Sequence, residues 1–398
     1  MLGWELPPQI SGGMGRACAG LLRGIREVGG VDVSFVLPSV RGDEILEGTG
    51  CELSLHGLWT EQEPHGSAQA CPDEVLFPSV VERSARGSYG NNLKPSVLKY
   101  TRRCSERFNA ANAFDVIHAH DWLTYPAGID LCRRTTTPLV VHVHSTEFDR
   151  SEYLDPAVIK IEREGMDEAH RIITVSEYTK RTVIEHYGQV PRKVEVIPNA
   201  PDFRCETSVA LAKRPKQVVF VGRITYQKGP EYFVEAAAKI LHQLPDTRFV
   251  MAGDGDQLAL VKSLARSYGI GELIGFPGFL GHKEISELLA CSRALIMPSM
   301  SEPFGLVALE AIAHGVPAIV SSRSGICEVV RNIVKVDPVD TDSIARSVVR
   351  LLKDDKYARE LSHGAAEEIR EMNWKRSAAR LCDVYTSLCA NSSIASLV

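Results

Sequence analysis

The segment Ser299-Met-Ser-Glu-Pro-Phe-Gly-Leu-Val-Ala-Leu-Glu310 decides the fold, because it joins an apolar strand to an apolar helix. The strand, residues 294–297, ends at a proline, and Pro303 and Gly305 then interrupt the chain. Apolar residues recur after them at helical spacing, so the sequence predicts a helix from Leu306 to His314. A strand, a turn and a helix in this order are the repeating unit of a parallel α/β sheet.

Two carboxylates flank the start of this helix. Glu302 lies in the loop before it, and Glu310 lies inside it, eight positions further along. The free N–H groups of the first turn, around Phe304, Gly305 and Leu306, are suited to hold an anion. A diphosphate bound there would leave one carboxylate on either side, and carboxylates accept hydrogen bonds from hydroxyl groups. Two hydroxyl-bearing groups on either side of a diphosphate describe a nucleotide-sugar.

Length and composition limit the class of protein. A chain of 398 residues is too long for one ordinary core, and the formal charge of −5 argues against a nucleic-acid binder. Apolar runs stay well below the roughly 20 residues that a spanning helix needs, so no integral membrane contact is expected. No signal-peptide pattern opens the sequence, and the ten cysteines form no C-x-x-C pair. We therefore expect a cytoplasmic protein with reduced thiols.

Strands and helices alternate in two series along the chain. Residues 1–198 are predicted to form one Rossmann-like domain, with Met1-Leu2 as the stub of its first strand and residues 41–92 as irregular excursions. Residues 199–373 are predicted to form a second, which binds the nucleotide-sugar. Residues 374–398 are predicted to be a helix that packs back on the first domain. Two doubly wound parallel sheets of this kind would place a ligand in the cleft between them.

A second loop carries two cations. Gly222-Arg-Ile-Thr-Tyr-Gln-Lys-Gly229 follows the first strand of the second domain, and its Arg223 and Lys228 could lie over a diphosphate. A diphosphate leaving group needs its charge neutralised as the bond breaks. Two solvated surface cations are the plainer alternative. The nearby Glu302 and Glu310 favour the functional interpretation, since carboxylates beside a diphosphate need compensating cations.

The glycine-rich loop near the N-terminus is not a dinucleotide fingerprint. Ser11-Gly-Gly-Met-Gly15 lacks the third glycine of G-x-G-x-x-G, and no Walker lysine follows it. Gly12 and Gly13 do allow a backbone to approach a ligand closely at a helix N-terminus.

Two H-x-H pairs end neighbouring strands: His118 with His120, and His142 with His144. Alternate positions on a strand share a face, so each pair could point together. Zinc is disfavoured because no plain third ligand accompanies either pair. Purely structural histidines are a better explanation than zinc. We favour a third, in which one histidine at a strand end faces the cleft and hydrogen-bonds sugar hydroxyls.

Two acidic patterns have simple structural explanations. Asp254-Gly-Asp256 matches the D-x-D of some metal-dependent sugar transferases, but a turn with an N-cap aspartate explains it without metal. Glu162 lies in an acidic run that we interpret as the solvated face of a helix.

With these motifs placed, the sequence resembles retaining glycosyltransferases of the GT-B fold, within family 4 and its relatives the glycogen and starch synthases. The E-x7-E element from Glu302 to Glu310 is the most specific match, and the likeness covers nearly the whole chain. The loop from Val221 to Gly229 and Val196-Ile-Pro-Asn199 match as well. His118-Ala-His-Asp-Trp122 points to the glycogen-synthase-like branch.

The resemblance implies a role for each candidate residue. Arg223 and Lys228 would hold the donor diphosphate. Glu302 would contact the transferred sugar, and Glu310 the ribose. The family retains the anomeric configuration without a metal, and no cofactor is expected.

The same resemblance implies that the first domain, residues 1–198, lies on the acceptor side, and it assigns roles to residues of that domain. Gly12 and Gly13 would lie against the diphosphate, and His144 would lie near O6 of the sugar. Asp121 would line the sugar or acceptor side.

These observations predict transfer of a hexosyl group, with glucosyl favoured, from an ADP-, UDP- or GDP-hexose to a carbohydrate acceptor such as an α-glucan. Transfer to form sucrose, trehalose or a glycolipid is an alternative within the class. A nucleotide-sugar 2-epimerase on the same scaffold, an oxidoreductase and an inactive sugar-binding subunit are rivals from other classes. The broken glycine fingerprint near the N-terminus disfavours the oxidoreductase, and the intact set of site residues disfavours the inactive subunit.

Overall fold

The computed structural model of the chain describes residues 1–7, 12–40, 52–58, 93–108, 114–202 and 210–395, with side chains up to residue 390. Its strands all belong to parallel sheets. The strands are β1 (Val33–Leu37), β2 (Leu53–Gly57), β3 (Ile117–His120), β4 (Leu139–Val143), β5 (Arg171–Thr174), β6 (Val194–Val196), β7 (Gln217–Val221), β8 (Arg248–Ala252), β9 (Ile274–Gly278), β10 (Ala294–Met297), β11 (Ala318–Ser321) and β12 (Val334–Val336).

Helices connect most successive strands, as parallel pairing requires. The helices are α1 (Gly13–Val28), α2 (Leu93–Arg107), α3 (Tyr125–Thr135), α4 (Glu147–Arg150), α5 (Pro156–Glu168), α6 (Glu177–Tyr187), α7 (Pro230–Leu241), α8 (Leu258–Ser267), α9 (His282–Ala290), α10 (Leu306–Ala313), α11 (Ile326–Val329), α12 (Thr341–Lys353), α13 (Asp355–Glu368) and α14 (Trp374–Ala395). None of them, within the described ranges, is long and apolar enough to cross a membrane. The predicted α/β class, with two parallel sheets in two domains, is confirmed.

The first sheet is completed by the start of the chain. Its strands form the ladders β1-β2 and β3-β4-β5-β6. Leu2 lies between them, with isolated bridges to Val36 and Ala119. The Leu2 amide donates to the carbonyl of His118 at 2.7 Å, and the Leu2 carbonyl accepts from the amide of His120 at 3.1 Å. Met1-Leu2 thus occupies the position of the first strand, as predicted.

The second sheet has the strand order β12-β11-β10-β7-β8-β9. The chain builds outward from β7 through β8 to β9 and then crosses to β10 on the other side of β7. Strand order therefore reverses between β7 and β10, and the loops after these two strands meet at a topological switch point. In open parallel sheets this crevice is where ligands bind.

The C-terminal helix packs on the first domain. Trp374 and Leu381 of α14 belong to the same buried cluster as Leu21 and Phe35. A Cβ on Gly20 would come within 2.1 Å of the Trp374 ring, so this glycine lets α1 and α14 approach closely. Helix α14 therefore returns the chain from the second sheet to the first.

Six elements were not predicted from the sequence. Strand β2 lies inside the region taken as irregular, where it pairs with β1 at an edge and its residues are only half-buried. A half-buried edge strand has few apolar residues to reveal it. Helices α3, α4, α11 and α13 and strand β12 were also missed. The remaining predictions for residues 41–51 and 59–92 fall outside the described residues.

Candidate active site

The loops after β7 and β10 are packed tightly together. Gly229 has φ 58°, and a Cβ there would lie 2.3 Å from the carbonyl oxygen of Pro298. A third loop, after β8, joins them: a Cβ on Gly253 would lie 1.8 Å from the carbonyl oxygen of Gly222. These glycines are needed because backbone meets backbone at the switch point. The side chains that the loops carry are thereby held in fixed relation to each other.

Lys228 and Glu302 form an ion pair between the two loops. The Lys228 Nζ lies 2.6 Å from Oε2 of Glu302, and the Ser299 hydroxyl donates to the same oxygen at 3.2 Å. The Glu302 side chain is only 8% exposed, whereas Lys228 is 20% exposed. The cation is thus the more accessible partner, at the carboxyl end of the second sheet.

Arg223 lies against the glycine-rich loop of the first domain. A Cβ on Gly12 would be 3.9 Å from Nε of Arg223, and one on Gly13 would be 3.7 Å from Cδ1 of Leu306. The Arg223 guanidinium donates to Oε1 of Gln227 at 3.1 Å. The structure therefore brings the predicted glycines of one domain to the predicted cation and helix start of the other.

The N-terminus of α10 presents open backbone donors. Gly305 precedes the helix at φ 108° and supplies no side-chain cap. The carbonyl of Phe304 is held by the amide of Ile326 at 2.7 Å and the hydroxyl of Ser324 at 3.2 Å. The amide of Ala308 donates to the carbonyl of Gly305 at 3.0 Å, so the amides of Leu306 and Val307 are the donors at the positive end of the helix dipole. They are suited to an anionic ligand.

Glu310 meets an arginine that the sequence reasoning did not identify. Arg16, in the first turn of α1, pairs with Oε1 of Glu310 across the two domains. The other carboxylate oxygen, Oε2, is buried and has no hydrogen-bond partner among the residues that the structure describes. The sequence did contain one indication that Arg16 belongs to the site, because this residue directly follows the glycine-rich loop. Its partner is 294 positions away, so the sequence could not reveal the pair.

Four histidines form a continuous stack at the ends of β3 and β4. The ring centroids of His118 and His120 are 4.3 Å apart, and so are those of His142 and His144. The sheet register pairs His120 with His142, which joins the two pairs. Both H-x-H pairs therefore point together on one face of the first sheet.

The stack is electrically neutral at physiological pH. Burial lowers the pKa of His118, His120 and His142 well below the usual value, and it lowers the pKa of His144 to about 3. His144 lies at the strand end and is the partly exposed member of the stack. Its Nε2 lies 3.0 Å from Nδ1 of His120, and its Nδ1 is buried without a hydrogen-bond partner among the residues that the structure describes.

The geometry of the rings favours stacking over metal binding. Ring nitrogens of His118, His120 and His142 lie within 4.8 Å of one another. However, the plane of the His142 ring is only 10° from that of His118 and 22° from that of His120. Parallel rings show their faces to each other, whereas zinc needs in-plane nitrogen lone pairs that converge on one point. Metal independence of the reaction stays a prediction.

Asp121 supports the turn that carries His144. Its φ is 55°, and its carboxylate accepts from the amides of His144 at 2.7 Å and Ser145 at 3.4 Å. Burial raises its pKa to about 7, against the opposing effect of the Arg150 cation. The side chain is buried, so it acts on this end of the sheet by holding the backbone of His144 and Ser145.

Two readings of acidic residues were wrong. Helix α8 begins at Leu258 with Gln257 as its N-cap, and the Asp254 carboxylate accepts from the amide of Gly255 instead of capping the helix. Glu162 does not lie on a solvated face. It is buried and pairs with Arg150. Arg150 ends the four-residue helix α4, which the sequence did not predict, so the ion pair could not be foreseen.

Further contacts connect the domains beside the site. The Ser301 hydroxyl donates to Oδ1 of Asp149 at 2.6 Å, and the Ser176 hydroxyl donates to the carbonyl of Pro303 at 2.6 Å. The Pro303 and Ser301 positions flank Glu302. The loop that carries this carboxylate is therefore anchored to the first domain on both sides.

Comparison with known families covers nearly the whole chain. A model described as Glycosyltransferase Family 4 matches residues 11–203, and one described as Glycosyl transferases group 1 matches residues 206–368. An uncharacterized glycosyltransferase of Methanocaldococcus jannaschii is 30% identical over 97% of each chain. This chain belongs to glycosyltransferase family 4. The glycogen-synthase-like character of this glycosyltransferase is supported by a glycogen synthase of Mycobacterium tuberculosis, 28% identical over 97% of this chain and 93% of that one.

Solved structures show the same GT-B fold. A sucrose-phosphate synthase from Thermosynechococcus elongatus matches with a TM-score of 0.74 at 21% identity, over 98% of both chains. The Anabaena protein HepE, in complex with UDP and glucose, matches with a TM-score of 0.72 at 17% identity, over 97% of this chain and 99% of that one.

Proposed function

We propose that this glycosyltransferase moves a hexosyl group, with glucosyl favoured, from a nucleoside diphosphate sugar to a carbohydrate hydroxyl, with retention of the anomeric configuration. An α-glucan is the first choice of acceptor. The donor is an ADP-, UDP- or GDP-hexose, and neither a metal nor a further cofactor takes part. The proposal rests on membership of family 4 together with the arrangement of charges at the switch point.

The observation that carries the proposal is the Lys228–Glu302 pair beside the open N-terminus of α10. A diphosphate at the helix N-terminus would meet the ammonium of Lys228, and Glu302 would then be free to accept hydrogen bonds from sugar hydroxyls. The 20% exposure of Lys228 allows it to change partner. A bare diphosphate leaving group carries growing negative charge as the glycosidic bond breaks, and fixed cations stabilise that charge.

Arg223 is the second cation of the leaving-group site. Its guanidinium has five N–H donors and uses one on Gln227, so donors remain for phosphate oxygens. The nearby Gly12 backbone leaves room for the ligand, because a side chain there would lie against Arg223. The diphosphate would thus be enclosed between the two domains, out of bulk water.

His144 suits a sugar hydroxyl because it is neutral. A neutral imidazole offers one donor or one acceptor at each nitrogen, whereas a protonated ring would only donate. With a pKa of about 3, His144 stays neutral throughout the working pH range. Its ring would bond the sugar without adding a charge that competes with Lys228 for the diphosphate.

The relatives support the substrate classes in outline. A glycogen synthase and a sucrose-phosphate synthase both build carbohydrate, and HepE was seen with UDP and glucose. These names agree with a nucleotide-sugar donor and a carbohydrate acceptor. They do not choose among the three bases, so the donor base is left to experiment.

The test is a donor panel. Release of nucleoside diphosphate is measured from ADP-, UDP- and GDP-glucose with and without maltooligosaccharides, and the anomeric configuration of the product is read by NMR. We expect release that depends on the acceptor and an α-linked product. Release without any acceptor would favour the 2-epimerase, and a β-linked product would exclude retention.

Metal independence has its own test. Treatment with EDTA should leave the rate of transfer unchanged, because Lys228, Arg223 and the helix N-terminus supply the positive charge. Strong inhibition that Mn²⁺ reverses would contradict this proposal and would favour Asp254 and Asp256 as metal ligands.

A further inference from the structure

Helix α1 directs two arginines at acids on or beside the second domain. Arg16 and Arg23 are seven residues apart and so share one face of the helix. Arg16 pairs with Glu310 of α10, and Arg23 pairs with Asp202, which follows the last strand of the first sheet. The two pairs differ in one respect. Asp202 also accepts from the Trp374 indole at 2.9 Å, whereas Oε2 of Glu310 is buried and has no hydrogen-bond partner in the described part of the chain.

The buried Oε2 of Glu310, which has no hydrogen-bond partner among the described residues, is the unusual feature. The Glu310 side chain is 7% exposed, and its Oε1 is held by Arg16. Its Oε2 is buried without a partner among the described residues. A buried carboxylate oxygen without a donor is costly, so such oxygens normally have a partner when the protein is complete with its ligand.

We infer that Arg16 is a positioning residue for donor recognition: it fixes Oε1 of Glu310 so that Oε2 points at a ribose hydroxyl of the nucleotide. The inference rests on the proposed function, since it needs a nucleotide in the cleft. It adds a residue that lies in the first domain and acts through a carboxylate of the second. Recognition of the ribose is then shared by both domains and requires them to be together.

The side-chain chemistry suits this role. A guanidinium is planar and holds a carboxylate in a defined orientation, which an ammonium on a flexible stem does not. Arg16 is 15% exposed, so the arginine is itself restrained by its surroundings. It comes just after Gly12 and Gly13, where an added Cβ would be 3.9 Å from Arg223 and 3.7 Å from Leu306, so Arg16 lies at the end of α1 that faces these residues.

The experiment compares two ligands in four proteins by calorimetry. The ligands are whichever of ADP, UDP and GDP binds the wild-type protein most tightly and the 2′,3′-dideoxy form of the same nucleotide. The proteins are wild type, Arg16→Gln, Arg16→Lys and the control Arg23→Gln. A hydrogen bond to a charged group should give the wild type a preference for the ribose form of about tenfold or more.

We expect Arg16→Gln to reduce this preference to below about threefold while binding of the dideoxy form changes less than about twofold, because only the ribose contact is lost. The preference of Arg16→Lys for the ribose form should lie between those of wild type and Arg16→Gln. Arg23→Gln should keep the full wild-type preference. Thermal melts of each variant check that the fold is intact, and Arg16→Lys serves as the test if Arg16→Gln does not fold.

Three results would overturn the inference. Equal weakening of both ligands by Arg16→Gln would mean that Arg16 binds the phosphates. Tighter binding of both would mean that Arg16 competes with the ligand for Glu310. An unchanged preference would remove any role in recognising the ribose. If the wild-type protein binds none of the three diphosphates, the proposed donor class fails first, and the inference fails with it.

Discussion

The two sides of the cleft present different kinds of polar side chain. At the carboxyl end of the second sheet, the side chains are charged and paired, as in Lys228 with Glu302. At the carboxyl end of the first sheet, the side chains are neutral and stacked, from His118 to His144. Both sets lie at or near the carboxyl ends of parallel strands, so the strand geometry alone does not explain the contrast.

The contrast matches the two halves of a nucleotide-sugar. A diphosphate is anionic and needs cations and helix N-terminal donors, which the second domain supplies. Sugar hydroxyls are neutral, and a neutral imidazole can bond them without changing the charge of the cleft. The cations Lys228 and Arg223 and the N-terminus of α10 therefore lie on the side of the cleft where the diphosphate of the proposed ligand would bind.

The largest expected effect tests the charged side. Replacing Lys228 by Ala should raise the barrier to transfer by about 2–4 kcal/mol, because the leaving group loses a fixed cation. The matched control is Lys216→Ala, which removes an exposed ion pair with Asp246 at the opposite end of β7 and should leave the rate unchanged. Steady-state rates at saturating donor give the comparison.

A loss of less than twofold for Lys228→Ala would contradict the leaving-group role. The melting temperature must also be followed, because the variant leaves the buried carboxylate of Glu302 without its cation. A slow enzyme that is still folded separates the catalytic effect from a structural one.

The next effect tests the neutral side through the pH dependence of stability. Each stacked histidine has a folded pKa below its unfolded value of about 6.5, so the unfolded chain binds more protons below that pH. Stability is therefore lost as the pH falls below about 6.5. Replacing His142 by Phe keeps an aromatic ring and removes one such group. It should lessen the loss between pH 6.5 and 5 by up to about 2 kcal/mol.

Denaturant unfolding at several pH values measures this difference. Asp121 acts in the opposite direction, because its folded pKa of about 7 lies above the unfolded value of 3.8, and the folded state gains stability as the pH falls through that range. Asp121 is present in both proteins, so its contribution to the pH dependence cancels when the two stability curves are subtracted. Equal acid sensitivity of His142→Phe and wild type would mean that the stack is not neutral.

The smallest effect tests how the two sides are joined. Ser301→Ala removes the 2.6 Å hydrogen bond to Asp149 and should cost about 1 kcal/mol of stability or less, with a modest rise in the donor KM. Ser267→Ala is the matched control, since that serine bonds only its own helix at an exposed position. Should both variants lose the same stability, the Ser301 bridge would have no special role in holding the domains together.

Sequence reasoning reached most of the scaffold and part of the site. The strand and helix around Glu302 were predictable because apolar periodicity and the Pro303 and Gly305 breaks are local signals. Glu162 was misread because charge on a helix normally means solvent, and its partner Arg150 is brought to it only by the tertiary fold. The Arg16–Glu310 pair was missed for the same reason: two domains must come together before the contact exists.

The neutrality of the histidine stack was equally out of reach. Spacing predicted that each H-x-H pair shares a face, which it does. That the two pairs merge depends on the register of β3 against β4, where His120 lies opposite His142. Register and burial, not residue type, set the protonation state on which the role of His144 depends.

The most direct test of the account is a crystal structure with the preferred nucleoside diphosphate bound. We predict phosphate oxygens within hydrogen-bonding distance of Lys228, Arg223 and the first N–H groups of α10, with a ribose hydroxyl on Oε2 of Glu310. A nucleotide bound outside the cleft, or with its phosphates against the histidine stack, would contradict the assignment of charge and neutrality to the two halves of the donor.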